Sequence, residues 1–119
     1  MANILIVDDS RTSRKVLRGI LEEAGYTVID EAVNGQEGAD KYKSLNPDLV
    51  TLDITMPVMD GIEALRLIKE ANANAKVIMV TAAGQKNKMI ECIKIGADDF
   101  LTKPFDKEEI INVIKKIVK

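Results

Sequence analysis

Short apolar runs alternate along the chain with longer stretches of helical spacing. Ile4 to Val7 (ILIV), Leu49 to Leu52 (LVTL) and Val77 to Val80 (VIMV) are rich in β-branched residues and too short for helices. Runs that are apolar on both faces suit strands buried on both sides of a parallel sheet. Thr27 to Ala32 and Phe100 to Thr102 are weaker strand candidates, the second lying just before Lys103-Pro104.

The intervening stretches carry helix signals. Val16, Leu17, Ile20, Leu21 and Ala24 form an apolar stripe that stops at Gly25, a natural C-terminal cap. Asn34 to Leu45 is weakened by Gly35 and Gly38 but supported by Glu37 and Lys41 at i,i+4. Asp60 can cap a third helix bearing Ile62, Leu65 and Ile68, and a fourth runs from about Gln85 to Ile95 and ends at Gly96. In the fifth, Asp106 and Glu109 have capping-box spacing ahead of Ile110, Val113, Ile114 and Ile117. Gly19, inside the first helix, has no evident reason in the sequence and lowers its propensity by about 1 kcal/mol against Ala.

Strand and helix thus alternate five times with no linker or repeat. Such alternation predicts an α/β fold: a parallel sheet with right-handed crossovers and helices on both faces. One domain over residues 1–119 is expected, and 46% hydrophobic residues is ordinary for a globular chain. A net charge of −2 implies no general affinity for nucleic acid or anionic membrane. The lone Cys92 excludes an internal disulfide and reads as helix core beside Met89 and Ile93. No apolar run nears the roughly 20 residues that span a bilayer, so a soluble, cytoplasmic protein is expected. The chain has no histidine, which excludes Ser-His-Asp catalysis, His-based zinc sites and phosphotransfer from its own imidazole.

In a parallel α/β sheet, ligands bind beyond the carboxyl ends of the strands. Strand 1 runs into Asp8 and Asp9, strand 3 ends at Asp53, strand 4 at Thr81, and strand 5 leads into Lys103. Like charges about 4 Å apart repel by roughly 4 kcal/mol at an effective dielectric of 20, so three carboxylates there exceed what one lysine can neutralise. Mg²⁺, which accepts a few carboxylates and keeps several waters, is the economical counter-charge. An aspartate beside a metal, a lysine and a threonine suits phosphoryl transfer, with Asp53 as nucleophile and acyl phosphate former, and Thr81 and Lys103 on the phosphoryl oxygens. Each residue alone has a plainer reading, such as a turn or helix cap, and it is their joint placement that favours chemistry. Asp98 and Asp99 read as a solvated turn, Asp48 as part of a Pro-containing turn, and the lysines of the last helix as a solvated face.

"LIVDDS", "DLVTLDITMPVMDGIEAL", "VIMVTA" and "GADDFLTKPF" resemble, in order and spacing, the response-regulator receiver domain across essentially the whole chain. "EAVNGQEGADKYKSLNPDLVTLDITMPVMDG" is most similar to stand-alone chemotaxis regulators of the CheY type. The resemblance implies a flavodoxin-like, doubly wound five-stranded sheet of order 2-1-3-4-5, an order known for CheY and carried over with the likeness. It implies that Asp8, Asp9 (directly) and Asp53 bind Mg²⁺ with the Thr55 backbone carbonyl, that Asp53 is the phosphoacceptor, and that Thr81 and Lys103 contact the phosphoryl group. It further implies a cis Lys103-Pro104 bond and an aromatic switch at Phe100.

The implied role is non-enzymatic signalling. A CheA-like histidine kinase donates the phosphoryl group from a phosphohistidine, and its added charge biases the surface of helix 4, strand 5 and helix 5 toward a partner. A flagellar motor switch protein or a phosphatase is the implied target, with the chain itself a monomer. Thr55 and Ala83 depart from the larger polar side chains often found there, which bears on phosphoryl lifetime, and Ser13 replaces a commonly apolar residue. The rival receiver role is a phosphorelay intermediate that passes its group to a histidine phosphotransfer protein. An aspartyl phosphatase is disfavoured because Thr55 stands where a second acid is commonly needed. A flavodoxin-like mononucleotide binder is disfavoured because "DDS" repels phosphate.

Overall fold

The computed structural model describes residues 2–118. Its strands are β1 (Asn3–Val7), β2 (Thr27–Ala32), β3 (Leu49–Asp53), β4 (Val77–Thr81) and β5 (Asp99–Thr102). They alternate with α1 (Arg11–Glu23), α2 (Gly35–Leu45), α3 (Gly61–Ala71), α4 (Lys86–Ile95) and α5 (Lys107–Ile117). Every strand pairing is parallel and the order is β2-β1-β3-β4-β5, the flavodoxin-like topology expected. Each strand extends at most one residue beyond its apolar run, because Asn3, Asp53, Thr81 and Asp99 still satisfy the ladder while turning toward solvent or the site.

Alternation along each buried strand splits the core into two layers. Leu5, Val7, Leu52 and Met79 pack with Tyr42 of α2, Ala64, Leu65 and Ile68 of α3, and Cys92 of α4. Ile4, Ile6, Ile78 and Val80 pack on the other face with Leu17 and Leu21 of α1 and Ile110, Val113 and Ile114 of α5. The central strands β3 and β4 are buried along their whole length, which is why their sequences are apolar, Thr51 excepted, up to the site residue. Among the described residues, no helix is long and apolar enough to cross a membrane.

Local signals set the helix ends. Ser10, Asn34 and Asp60 accept the backbone N–H three residues on, at Ser13, Glu37 and Glu63. Gly25, at φ 95°, ends α1 in the left-handed region that favours glycine. The Glu37–Lys41 pair forms at 3.4 Å, and Lys41 also reaches Asp30.

Four expectations are corrected. Val16 is 46% and Ile93 58% exposed, because the stripes they extend are wider than the contact each helix makes with the sheet. Asp106 accepts from Glu108 and Glu109, but Glu109 turns to Thr102 rather than closing the capping box. Asp98 is no merely solvated residue: its carboxylate accepts the Val77 N–H at 2.7 Å and pairs with Lys69 at 3.5 Å. Asp99 opens β5, accepting the Phe100 N–H and pairing with Lys116.

Gly19 faces open space, since a Cβ there would meet nothing within 4 Å. Gly19→Ala is therefore expected to raise stability by about 1 kcal/mol, read as a shift in urea midpoint at unchanged slope. A loss of stability would show that this glycine has a role the fold does not reveal.

Candidate functional site

The carboxyl ends of β1, β3, β4 and β5 deliver their polar residues to one rim. Asp8, Asp9 and Asp53 each offer a carboxylate oxygen, all within 4.8 Å of one another. Asp8 and Asp53 are buried and Asp9 is exposed, so water solvates one of the three charges while two are held in the fold. Asp8 is fixed from several sides: its N–H donates to the Ala32 carbonyl at 3.0 Å, and its Oδ1 accepts the Ser10 N–H at 2.8 Å. Asp53 is fixed by β3, which pairs it with Val80 of β4.

Lys103 reaches this cluster, its Nζ 3.0 Å from Asp8 Oδ2 and 3.4 Å from Asp53 Oδ2. Burial pulls its ammonium toward neutrality, but the bond to Asp8 and the attraction of Asp53 outweigh that and raise its pKa. The Lys103-Pro104 bond is cis, as the resemblance implied. Even with Lys103 in place, burial first and the charge of Asp8 second push the Asp53 carboxyl up from 3.8 to about 6. Negative charge at the rim is thus under-compensated. Three hard carboxylate oxygens around such a deficit fit an oxygen-seeking dication.

Thr81 is buried and its hydroxyl donates to the Leu101 carbonyl at 3.4 Å, a long bond that a better acceptor can replace. Phe100 is half-buried against the layer under α2, α3 and α4. Thr55 is exposed on the loop between β3 and α3, two residues past Asp53. A separate open groove of about 530 Å³ between α3 and α4, lined by Arg66, Lys69, Glu91 and Lys94 among others, includes none of these residues. Cys92 is fully buried, which raises its thiol pKa to about 11 and makes it core, as expected.

Residues 4–115 match the response regulator receiver domain family. The chain belongs to that family. This receiver domain is 47% identical over 116 residues to the chemotaxis protein CheY of Thermotoga maritima, covering 98% of this chain and 97% of that one. It is 48% identical over 115 residues to the chemotaxis protein CheY of Halobacterium salinarum, covering 97% of this chain and 95% of that one. Among solved structures it is similar to a chain in the crystal structure of the CheX-CheY-BeF3-Mg²⁺ complex from Borrelia burgdorferi. That match has a TM-score of 0.92 at 43% identity, covering 99% of this chain and 90% of that one.

Three residues that support the receiver site escape a reading of the sequence. Arg14 donates through Nη1 to the Asp8 carbonyl at 2.9 Å, holding the acid-bearing turn onto α1. Glu31 of β2 accepts from Arg14 at 2.9 Å and from Arg18 at 2.5 Å. Burial pushes the Glu31 carboxyl up, but the two guanidiniums outweigh it and hold it below its ordinary value. Gln85 bridges Thr55 and the Ala82 amide. The sequence signal is indirect: Arg14 and Arg18 lie one turn apart on a helix that follows the acid pair.

Proposed function

We propose that this receiver domain is a stand-alone response regulator of chemotaxis that accepts a phosphoryl group on Asp53. The observation that carries the proposal is the convergence of three carboxylates within 4.8 Å beside the Lys103 ammonium, with Thr81 at the next strand end. The resemblance to CheY proteins over nearly the full length supports the chemotaxis assignment, as does the Borrelia CheY complex holding BeF3 and Mg²⁺.

Asp8, Asp9, Asp53 and the Thr55 carbonyl would hold Mg²⁺, which neutralises oxygen charge at the rim when bound. The remaining work belongs to side chains. An Asp53 carboxylate oxygen attacks the phosphorus of a phosphohistidine on a CheA-like kinase. The P–O bond forms as the P–N bond breaks, the imidazole leaves and takes a proton from water, and Asp53 becomes an acyl phosphate. Lys103 moves its charge onto the phosphoryl oxygens, and Thr81 exchanges the Leu101 carbonyl for one of them. Since Leu101 follows Phe100 in β5, that exchange frees the strand on which Phe100 turns inward. The surface of α4, β5 and α5 shifts with it toward a partner-binding form, for a flagellar motor switch protein or a phosphatase. The protein is a stoichiometric acceptor rather than an enzyme, and works as a cytoplasmic monomer.

Incubation with acetyl phosphate and Mg²⁺ is expected to add one phosphoryl group, mapped to Asp53 by mass spectrometry after borohydride trapping. Chelation of the metal is expected to slow uptake by more than about tenfold. Uptake at full rate in chelator, or trapping at another residue, would refute the assignment.

A further inference from the structure

Gln85 precedes α4 as its N-cap residue, yet its side chain makes no capping bond to that helix. It instead crosses between two loops. Its Oε1 accepts the Ala82 N–H at 2.7 Å, and its Nε2 donates to the Thr55 hydroxyl at 2.7 Å. The orientation of the amide is unambiguous, because the Ala82 N–H can only donate and so must face the carbonyl oxygen. One side chain therefore ties the loop after β4 to the loop after β3, thirty residues apart in sequence, the latter beginning directly after Asp53.

Ala82 directly follows Thr81, so its N–H is the next backbone donor along the chain from the hydroxyl that an anion on Asp53 would engage. In this structure that donor is already taken by a neutral amide oxygen. A phosphoryl oxygen is a charged acceptor and makes the stronger bond, but it must first displace Gln85. We infer that Gln85 is a positioning residue that latches the β3–α3 and β4–α4 loops in the resting form, and that phosphoryl binding opens the latch by claiming the Ala82 N–H. The inference rests on the phosphoacceptor reading and adds a regulatory contact to it. The latch lowers the fraction of molecules competent to receive the group, and apparent affinity falls by that fraction. Both bonds are near solvent, so the effect is moderate rather than all-or-none.

Beryllofluoride, a phosphoryl mimic, separates the possibilities when titrated with Mg²⁺ in excess and followed by fluorine NMR. Gln85→Ala is expected to tighten beryllofluoride binding about three- to tenfold, with Mg²⁺ affinity alone, measured by calorimetry, unchanged. Thr55→Ala keeps the backbone carbonyl but removes one anchor of the latch, and is expected to give a smaller gain in the same direction. The double variant is expected to match Gln85→Ala, because the two act through one contact. Unchanged or weaker binding by Gln85→Ala would overturn the latch, as would gains that multiply in the double variant. Should Gln85→Ala fail to fold by circular dichroism, Thr55→Ala decides alone, a gain supporting the latch and no gain refuting it. If the unsubstituted protein itself takes up no beryllofluoride, the phosphoacceptor reading falls, an outcome distinct from failure of the latch.

Discussion

Asp53→Asn is expected to remain folded, to lose phosphoryl uptake from acetyl phosphate by more than about 10²-fold, and to be more stable than the unsubstituted protein in metal-free buffer. The first effect follows from removing the attacking oxygen, since an amide oxygen forms no stable acyl phosphate. The second follows from the position of the carboxylate. Burial and the charge of Asp8 raise its pKa from 3.8 to about 6, so the ionised group is unfavourable in the fold. Because the folded form binds its proton more tightly than the unfolded chain, this penalty is absent below pH 3.8 and complete above about pH 6. The unsubstituted protein should therefore lose stability as pH rises through that window, and the Asn variant should lack that step. Two pH units would correspond to about 3 kcal/mol, but the site lies at a wetted rim, so a gain of about 1–2 kcal/mol at pH 7 is expected from denaturant curves. An Asn variant that labels normally, or is less stable at pH 7 without metal, would defeat the account.

Gly61→Ala is expected to be the most damaging of the small substitutions. A Cβ at Gly61 would stand 2.0 Å from the Asp53 carbonyl oxygen and 2.9 Å from the Ile54 Cα. Both contacts are backbone, so no side-chain rotation relieves them. Relief requires moving the start of α3 away from the end of β3, which breaks the 2.7 Å bond from the Gly61 N–H to the Ile54 carbonyl. A loss of about 3 kcal/mol or more is expected, or roughly 10 °C in Tm, together with weaker Mg²⁺ binding because Asp53 shifts with its carbonyl. The control is Gly19→Ala, the same chemical change with the opposite expected sign. Equal effects at the two positions would show that close backbone approach is not what Gly61 provides.

Much of this is legible in the residues alone. The runs at Ile4, Leu49 and Val77 suit doubly buried strands, and in a parallel sheet the polar residue ending each one emerges at the same rim. Asp8, Asp9, Asp53, Thr81 and Lys103 stand out because topology, not proximity in sequence, collects them. Tertiary detail is what escapes. Helical periodicity marks a stripe but not its width, so it puts Val16 and Ile93 with the core although they face solvent. Asp98 looks like a turn acid because its partners, Val77 and Lys69, lie far away in sequence. Arg14, Glu31 and Gln85 share that difficulty, since a polar side chain carries no periodic signal of the backbone group it will bond. Gly61 is legible as a residue next to a helix cap, but not as the point where β3 and α3 touch.

The ammonium of Lys103, lodged between Asp8 and Asp53, has a thermodynamic corollary. A dication seated among these acids would have to share or evict that resident charge, and would be held less firmly than by three bare acids. An anion placed on Asp53 would give the ammonium somewhere better to go, and the dication's seat would deepen. By reciprocity, whatever factor the anion adds to the cation's affinity, the cation returns to the anion.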